Sequence, residues 1–210
     1  MKKDRGILIV ISGFAGSGKG TIVKMLTERY DNYVVSVSAT TRNSRPGEVD
    51  GKDYFFVTRE KFEKMIAEND LLEHAEYVGN YYGTPRKFVN EQLMAGKDVI
   101  LEIEYLGAFN VKKQFPEAVL VFLCPPSAQE VYRRLKKRGT ETEEVIKKRL
   151  VRGKEETEII EKYDFLICND DLEECIEEVN TTLQSAKNLS FVNEDFINSL
   201  KTSFDEILSE

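Results

Sequence analysis

The chain has 210 residues, of which 41% are hydrophobic and 32% are charged, a composition typical of a folded globular protein and not of a disordered one. Its net charge of −7, from 30 basic and 37 acidic residues, argues against a general nucleic-acid-binding protein, because such proteins need clustered positive charge. No apolar run reaches the roughly 20 residues of a membrane-spanning helix, so we expect no membrane partner.

The chain contains three cysteines and one histidine, His74. The cysteines form no CxxC pair, which argues against a Cys/His zinc site. A sparse and odd set of cysteines favours reduced thiols, and we therefore expect a cytoplasmic protein.

The first elements predict the start of an α/β domain. Residues 6–12 are apolar and mostly β-branched, which is typical of a strand buried on both faces. A glycine-rich loop follows, and residues 21–30 then have helical spacing. A strand, a glycine loop and a helix in this order open a βαβ unit, for which residues 33–37 predict a second strand.

The segment 38–83 is more polar and predicts an insertion. Thr58 is placed to cap a helix that runs to about residue 68. Residues 71–78 predict a strand of an antiparallel subdomain, and residues 80–83 predict a turn. Thr84 and Pro85 then predict the N-cap and first position of a helix that ends near Gly96.

The rest of the chain alternates strands with helices. Strands are predicted at 98–103, 118–123 and 165–168, and helices around 105–114 and at 170–186. Ser127 begins a capping box for a helix that ends at Gly139, and a second charged helix starts within 140–143. The alternation predicts a parallel sheet flanked by helices. Residues 187–210 contain an amphipathic stretch, which we expect to pack as a helix on the body.

The loop between the first strand and helix carries the strongest chemical signal. Its glycines allow backbone N–H groups to surround phosphate oxygens, and Lys19 is placed to reach the β- and γ-phosphates of a nucleotide. The predicted nucleotide-binding residues are Gly13, Phe14, Ala15, Gly16, Ser17, Gly18, Lys19, Gly20 and Thr21.

Gly20 follows the lysine where phosphate loops usually place a hydroxyl that binds Mg²⁺. The hydroxyl comes one position later, at Thr21. This GKGT variant resembles nucleoside monophosphate kinases, which implies that Mg²⁺ is held mainly by phosphates and water, with Thr21 or Glu102 as further candidates.

Two arginines and a tyrosine in the insertion, Arg42, Arg45 and Tyr54, suit a second phosphate, since guanidinium groups bind phosphate through paired donors. The segments SVSATTRNSRPGEVDGKDYFF, GNYYGT and RGTETEEVIKKRL together resemble the guanylate kinase family, from about residue 6 to about residue 180. The resemblance implies a nucleotide-binding core, a mixed GMP-binding insertion and a helical lid.

The resemblance also implies roles for single residues. It assigns the GMP phosphate to Arg42, Arg45, Tyr54 and Tyr82, and the guanine to Ser38, Glu73 and Thr84. Glu48 and Glu102 join the same GMP set. A buried carboxylate at Glu73 could accept two hydrogen bonds from guanine, a pair that adenine does not offer. Tyr81 is left open between site and packing, and Leu106 stands where the family commonly has glutamine.

The segment 133–154 carries ten basic and three acidic residues, a net charge of +7, so the other residues carry −14. The resemblance makes Arg138 and Arg149 lid arginines that close on the ATP phosphates. Asn169 matches a segment near the adenine, with a helix cap as its alternative.

These assignments predict one domain of four parts. The core comprises residues 5–37, 84–132 and 155–186. The other parts are the GMP-binding insertion (38–83), the lid (133–154) and the tail (187–210).

The predicted activity is transfer of the γ-phosphoryl group of ATP to GMP or dGMP, with Mg²⁺ and with Lys19, Arg42, Arg138 and Arg149 as catalytic residues. The alternatives are a peptide-binding module that has lost catalysis and a kinase of another base preference. The oligomeric state stays open.

Overall fold

The computed structural model describes residues 5–45, 47–77, 79–139 and 142–209, and within them nine strands form two sheets. The larger sheet has five strands, all of whose neighbours pair in parallel. Their spatial order is β2 (Tyr33–Val35), β7 (Asp98–Glu102), β1 (Leu8–Gly13), β8 (Val119–Cys124) and β9 (Phe165–Cys168). The predicted parallel sheet is therefore confirmed, with boundaries within about two residues of those expected.

Helices cover both faces of this sheet, because its central strands are apolar on both sides. On one face α1 (Lys19–Arg29) and α7 (Leu172–Ala186) pack on β1 and β8 in one hydrophobic cluster. On the other face α3 (Arg86–Met94) and α4 (Tyr105–Gln114) form a second cluster. The layers bring the carboxyl ends of the strands, and the loops that follow them, to one edge of the sheet.

The insertion forms the second sheet. Its order is β4 (Phe55–Phe56), β3 (Ala39–Thr40), β6 (Asn80–Pro85) and β5 (Leu71–Tyr77). The β3–β4 pair is parallel and the other two pairs are antiparallel, so the sheet is mixed. Helix α2 (Arg59–Ala67) packs on this sheet through the buried Phe62, and the Thr58 hydroxyl caps it as predicted.

Two predictions in this region are wrong. Residues 80–83 are not a turn but the first part of β6, and Asn80 pairs with Tyr77 across a reversal at Gly79, which has φ 74°. The two tyrosines in this stretch favour a strand, and glycine supplies the positive φ of the turn. Thr84 does not cap α3, because it lies buried in β6 and Pro85 takes the N-cap position.

The basic segment forms two helices, α5 (Ala128–Arg138) and α6 (Glu143–Thr157). The Ser127 hydroxyl caps α5 and Gly139 ends it in the left-handed conformation, both as predicted. The capping box is only half formed, because the Glu130 carboxylate pairs with arginines of its own helix. Thr142 caps α6, and the preceding positions 140 and 141 lie outside the described residues.

Two short 3-10 helices, Ile160–Lys162 and Ser190–Asn193, and a last helix, α8 (Glu194–Ser209), complete the chain. The predicted amphipathic helix is present, but the prediction that it packs on the body is wrong for the described residues, since no side chain of α8 is fully buried and Ile197 alone among those described is partly buried. Phe204, Ile207 and Leu208 are between 64% and 82% exposed. Within the described part of the chain, no helix combines the length and apolar character needed to span a membrane.

Candidate active site

The glycine loop leaves β1 at Gly13 and enters α1 at Lys19. Gly16 (φ 80°) and Gly18 (φ 90°) both adopt positive φ, which side-chain-bearing residues rarely do. The Ser17 N–H closes a tight turn on the Phe14 carbonyl at 3.0 Å. The loop therefore curls over the N-terminus of α1, where backbone N–H groups and the helix dipole favour an anion.

The Lys19 ammonium group lies inside this loop. Its Nζ atom donates to the carbonyl oxygens of Gly13 at 2.5 Å and Phe14 at 3.2 Å. Burial lowers the pKa of Lys19, while the nearby carboxylates of Glu104 and Glu102 act in the opposite direction. The lysine is thus a largely desolvated cation donor at the place where the loop would receive a phosphate.

Glu102 ends β7, the strand next to β1. A Cβ atom added to Gly20 would lie 3.7 Å from Glu102 Oε1, which places the carboxylate beside the first turn of α1. Desolvation raises the pKa of Glu102, and the Lys19 charge opposes that effect. Thr21 is exposed in the same turn. A carboxylate and a hydroxyl, both hard oxygen donors, therefore lie near the loop.

The second basic site lies on the insertion and is organised around Arg42. The guanidinium group lies 5.2 Å from the Tyr54 ring centroid, and it also interacts with the Tyr82 hydroxyl. The rings of Tyr54 and Tyr82 meet edge to face at 6.1 Å. Ser38 stands just before β3 and accepts a backbone hydrogen bond from Phe55 at 2.9 Å. One arginine and two phenol groups thus converge, and they are three of the four residues that the resemblance assigns to the GMP phosphate.

Glu48 is the partner of Arg42. Its two oxygens accept from the Arg42 guanidinium at 2.8 and 2.9 Å, and the Arg45 backbone N–H donates to it at 2.7 Å. The Arg42 hydrogen bonds hold the pKa of Glu48 well below its usual range, at about 2. This carboxylate therefore fixes the arginine in place, whereas the Arg45 side chain is exposed.

Glu73 and Thr84 form a buried polar pair between β5 and β6. The Thr84 hydroxyl donates to Glu73 Oε1 at 2.8 Å, and Glu73 is only 6% exposed. Burial raises the pKa of Glu73 to about 6. Its second oxygen faces Gly107, where an added Cβ atom would come within 2.9 Å. The sequence analysis missed Gly107, although a glycine inside a predicted helix was the available signal.

The two lid arginines are placed differently. Arg138 is exposed in the last turn of α5. Arg149, on α6, is half-buried, and its charge lowers the pKa of Lys19. Arg149 therefore lies near the phosphate loop, whereas Arg138 is exposed at the end of α5.

Phe14 connects the phosphate loop to the lid. Its ring meets Phe122 of β8 edge to face at 5.0 Å and packs against a cluster formed by Val131 and Leu135 of α5 and Ile146 of α6. Gly153 of α6 faces the same ring, with 3.6 Å between an added Cβ atom and Phe14 Cδ1. The phosphate loop is therefore in direct packing contact with α5 and α6.

Several residues near the site escaped the sequence analysis or were left open by it. Arg152 of α6 pairs with Glu104 at 2.9 Å and with the buried Glu156 at 3.3 Å, linking the lid to the start of α4.

Tyr81 stacks on Phe62 with ring centroids 5.3 Å apart and accepts a hydrogen bond from Arg59, so packing is its role here. Helix α7 is capped by Asp171 and not by Asn169.

Comparison with known proteins gives a consistent result. Residues 5–186 match the family model described as guanylate kinase. The chain is similar to the guanylate kinase of Halalkalibacterium halodurans, with 54% identity over 85% of this chain and 88% of that protein. It is 51% identical to the guanylate kinase of Lactococcus lactis over 87% and 89% of the two chains. The crystal structure of guanylate kinase from Anaplasma phagocytophilum matches with a TM-score of 0.73 and 35% identity, covering 91% of each chain.

Proposed function

The chain belongs to the guanylate kinase family, and we propose which of its residues carry out that family's reaction, the transfer of the γ-phosphoryl group of ATP to GMP. The chain is an ATP:GMP phosphotransferase. The observation that supports our assignment of roles is the position of Glu102. Its charge acts both on Lys19 in the phosphate loop and on Tyr54 in the insertion, so this carboxylate lies near both sites.

We assign ATP to the phosphate loop and GMP to the insertion. Arg42, held by Glu48, would bind the GMP phosphate with the hydroxyls of Tyr54 and Tyr82, and Arg45 would join from the exposed rim. Bidentate guanidinium donors suit a phosphate group. Glu73 and Thr84 would bind the edge of the guanine base, with Ser38 nearby. A site built to accept the N–H donors of guanine disfavours adenine.

Catalysis on this assignment rests on position and charge. The acceptor is an anionic phosphate, so no general base is needed, and the enzyme must align the two nucleotides and neutralise charge on the transferred group. Lys19 acts from the loop side. Arg149, and Arg138 after closure of the lid, act from the opposite side. Closure would also exclude water from the transferred group.

Mg²⁺ is the expected cofactor of this phosphoryl transfer. Among the described residues, no group of three or more His, Cys, Asp and Glu side chains could hold a metal ion. The oxygen donors beside the loop, Glu102 and Thr21, fit an ion that is bound chiefly by nucleotide phosphates and by water. When bound, such an ion would neutralise part of the charge on the nucleotide phosphates.

A coupled assay that measures ADP formation tests these roles. Lys19→Ala should lower kcat by at least about a hundredfold, because it removes a preorganised donor to the transferred group. Lys24→Ala, on the exposed face of α1, should match the wild type. In the same assay GMP and dGMP should be turned over in preference to AMP. Near-normal activity of Lys19→Ala, or a preference for AMP, would contradict the assignments.

A further inference from the structure

Asn169 lies directly behind the phosphate loop. It follows β9, and its backbone N–H donates to the Cys124 carbonyl at 2.7 Å, which extends the β8–β9 pairing by one residue. The residue is only 4% exposed. Its side-chain Nδ2 donates to the carbonyl oxygen of Ser17 at 2.7 Å, a buried hydrogen bond across 152 residues of sequence. The sheet is thus joined to the loop at one peptide group.

The direction of that hydrogen bond matters for phosphate binding. In a planar trans peptide, the C=O and N–H groups point in opposite directions. Because Asn169 holds the Ser17 carbonyl on the outer side of the loop, the Gly18 N–H of the same peptide is turned towards the inner side. A rotation of this peptide would remove one N–H donor from the phosphate cradle and present a repulsive carbonyl instead.

Gly18 leaves room for the hydrogen bond between Asn169 and Ser17, because it has no side chain. A Cβ atom at Gly18 would lie 2.5 Å from Asn169 Nδ2, so a side chain there would displace the amide. The close approach of the amide therefore adds a requirement for glycine to the one that the φ of 90° already imposes.

The backbone of Asn169 is itself held by the lid region. Its carbonyl oxygen accepts from Arg134 Nη2 at 2.9 Å, and the Arg134 Nε atom donates to Glu130 at 2.6 Å. Both residues belong to α5. A continuous set of hydrogen bonds thus runs from the base of the lid through Asn169 to the peptide between Ser17 and Gly18.

We propose that Asn169 is a positioning residue for the phosphate loop, which holds the peptide between Ser17 and Gly18 in the orientation that binds the ATP phosphates. The inference rests on the proposed assignment of ATP to this loop. It gives Asn169 a task distinct from both sequence-based expectations, contact with adenine and capping of α7.

Two variants test the proposal, with KM for ATP and KM for GMP measured separately. Asn169→Ala should raise KM for ATP or lower kcat, reducing kcat/KM for ATP by about tenfold, the effect of losing about 1.4 kcal/mol of interaction. KM for GMP should change less than twofold. Asn169→Asp keeps the shape but turns the donor into a charged acceptor, so the loss at pH 8 should be at least as large.

The Asp variant also provides a pH signature. A carboxyl group beside a carbonyl oxygen and buried from water should titrate above its usual range, and its protonated form can donate to Ser17. The ratio of kcat/KM for ATP in Asn169→Asp to that of the wild type should therefore rise as the pH falls from 8 to 6. A structural defect alone would not produce this recovery.

Asp171→Ala is the matched control, because it removes the neighbouring cap of α7, whose carboxylate accepts from the N–H groups of Glu173 and Glu174. It should lower Tm by a few degrees and leave KM for ATP unchanged. If Asn169→Ala and Asn169→Asp behave like this control, the proposal is wrong. If Lys19→Ala is nevertheless inactive, only the role proposed for Asn169 is overturned. If Lys19→Ala is active, the assignment of ATP to the loop is overturned as well.

Discussion

Two carboxylates of the insertion differ in protonation because their surroundings differ. Glu48 accepts three charged or polar donors and its pKa falls to about 2, so it remains an anion at any working pH. Glu73 is buried, and burial raises its pKa to about 6 although the hydroxyl and the backbone N–H of Thr84 both donate to it. The first is suited to a permanent structural charge. The second is suited to binding a ligand that brings its own donors, such as guanine N1–H and its amino group.

GMP affinity should therefore depend on the ionisation of Glu73. Between pH 8 and pH 5 about nine-tenths of this carboxylate becomes protonated if its pKa is about 6, which should weaken guanine binding by about tenfold. GMP itself titrates near pH 6, so KM must be compared between Glu73→Gln and the wild type at each pH. The ratio of these KM values should shrink as pH falls. A ratio that stays constant would show that Glu73 does not read the base through its charge.

The same pKa has an opposite consequence for folding. A carboxyl with a folded-state pKa above its unfolded value makes a contribution that is fully favourable below about pH 4.5 and is lost as pH rises through 6. Because the pKa is raised by about 1.5, the contribution of Glu73 to the free energy of unfolding is about 2 kcal/mol lower at pH 8 than below pH 4.5. Glu73→Gln should thus be up to about 2 kcal/mol more stable than the wild type in urea unfolding at pH 8, and should lose that advantage below pH 4.5.

The residue types of the site were predictable because their chemistry is local. Arginines spaced along a polar segment, a glycine loop with a lysine, and a glutamate in a strand each carry a signal that can be seen without a fold. The roles of Glu48 and Asn169 were not predictable in this way, since both depend on a partner that only the folded chain brings near. Nothing in the sequence around Asn169 distinguishes a cap from a contact with Ser17.

At the scale of elements, patterns of burial predicted the main sheet well and the insertion less well. Strands β1 and β8 are continuous apolar runs, which have few alternative interpretations. In β6, Asn80 and Gly83 suggested a turn, but pairing with β5 on one side and β3 on the other makes the segment a central strand. Tertiary pairing there outweighs the local turn signals.

The approach of α4 to β5 depends on the missing side chain of Gly107. A Cβ atom there would lie 2.9 Å from Glu73 Oε2, closer than such contacts allow. Gly107→Ala should therefore displace the Glu73 carboxylate and raise KM for GMP by about tenfold, with KM for ATP unchanged. The usual gain of about 0.5–1 kcal/mol from replacing a helix glycine by alanine should not be seen.

Gly153→Ala is the matched control for that change. Gly153 also lies inside a helix, and its added Cβ atom would make an ordinary contact of 3.6 Å with Phe14. This variant should gain stability and keep the wild-type KM for GMP. Equal KM values for GMP in Gly107→Ala and the wild type would contradict the view that α4 positions the guanine-reading carboxylate.

At the scale of the whole molecule, charge is divided between the lid and the body. The net charge of −7 combines +7 on residues 133–154 with −14 elsewhere. Part of that positive charge is already neutralised within the structure, since Arg133, Arg134 and Arg152 are paired with glutamates. The composition alone showed the asymmetry, but only the structure shows which cations face the loop.

The tail divides into a part that supports the core and a part that does not. Lys187 forms an ion pair with the fully buried Asp98 at 2.6 Å, and Leu189, Phe191 and Val192 pack on the core. Helix α8 beyond them has no fully buried side chain among the described residues. The sequence of residues 187–210 predicted one packed segment, because amphipathic spacing does not reveal whether a face is covered.

Two truncations should separate these parts. A chain ending at Asn193 loses only α8 and should unfold in urea within about 0.5 kcal/mol of the full chain, with unchanged kcat. A chain ending at Ala186 leaves Asp98 buried without its cation and strips apolar contacts from the core, so it should lose about 3 kcal/mol or more. If the chain ending at Asn193 were as unstable as the chain ending at Ala186, α8 would pack on the body in solution, as its apolar spacing first suggested.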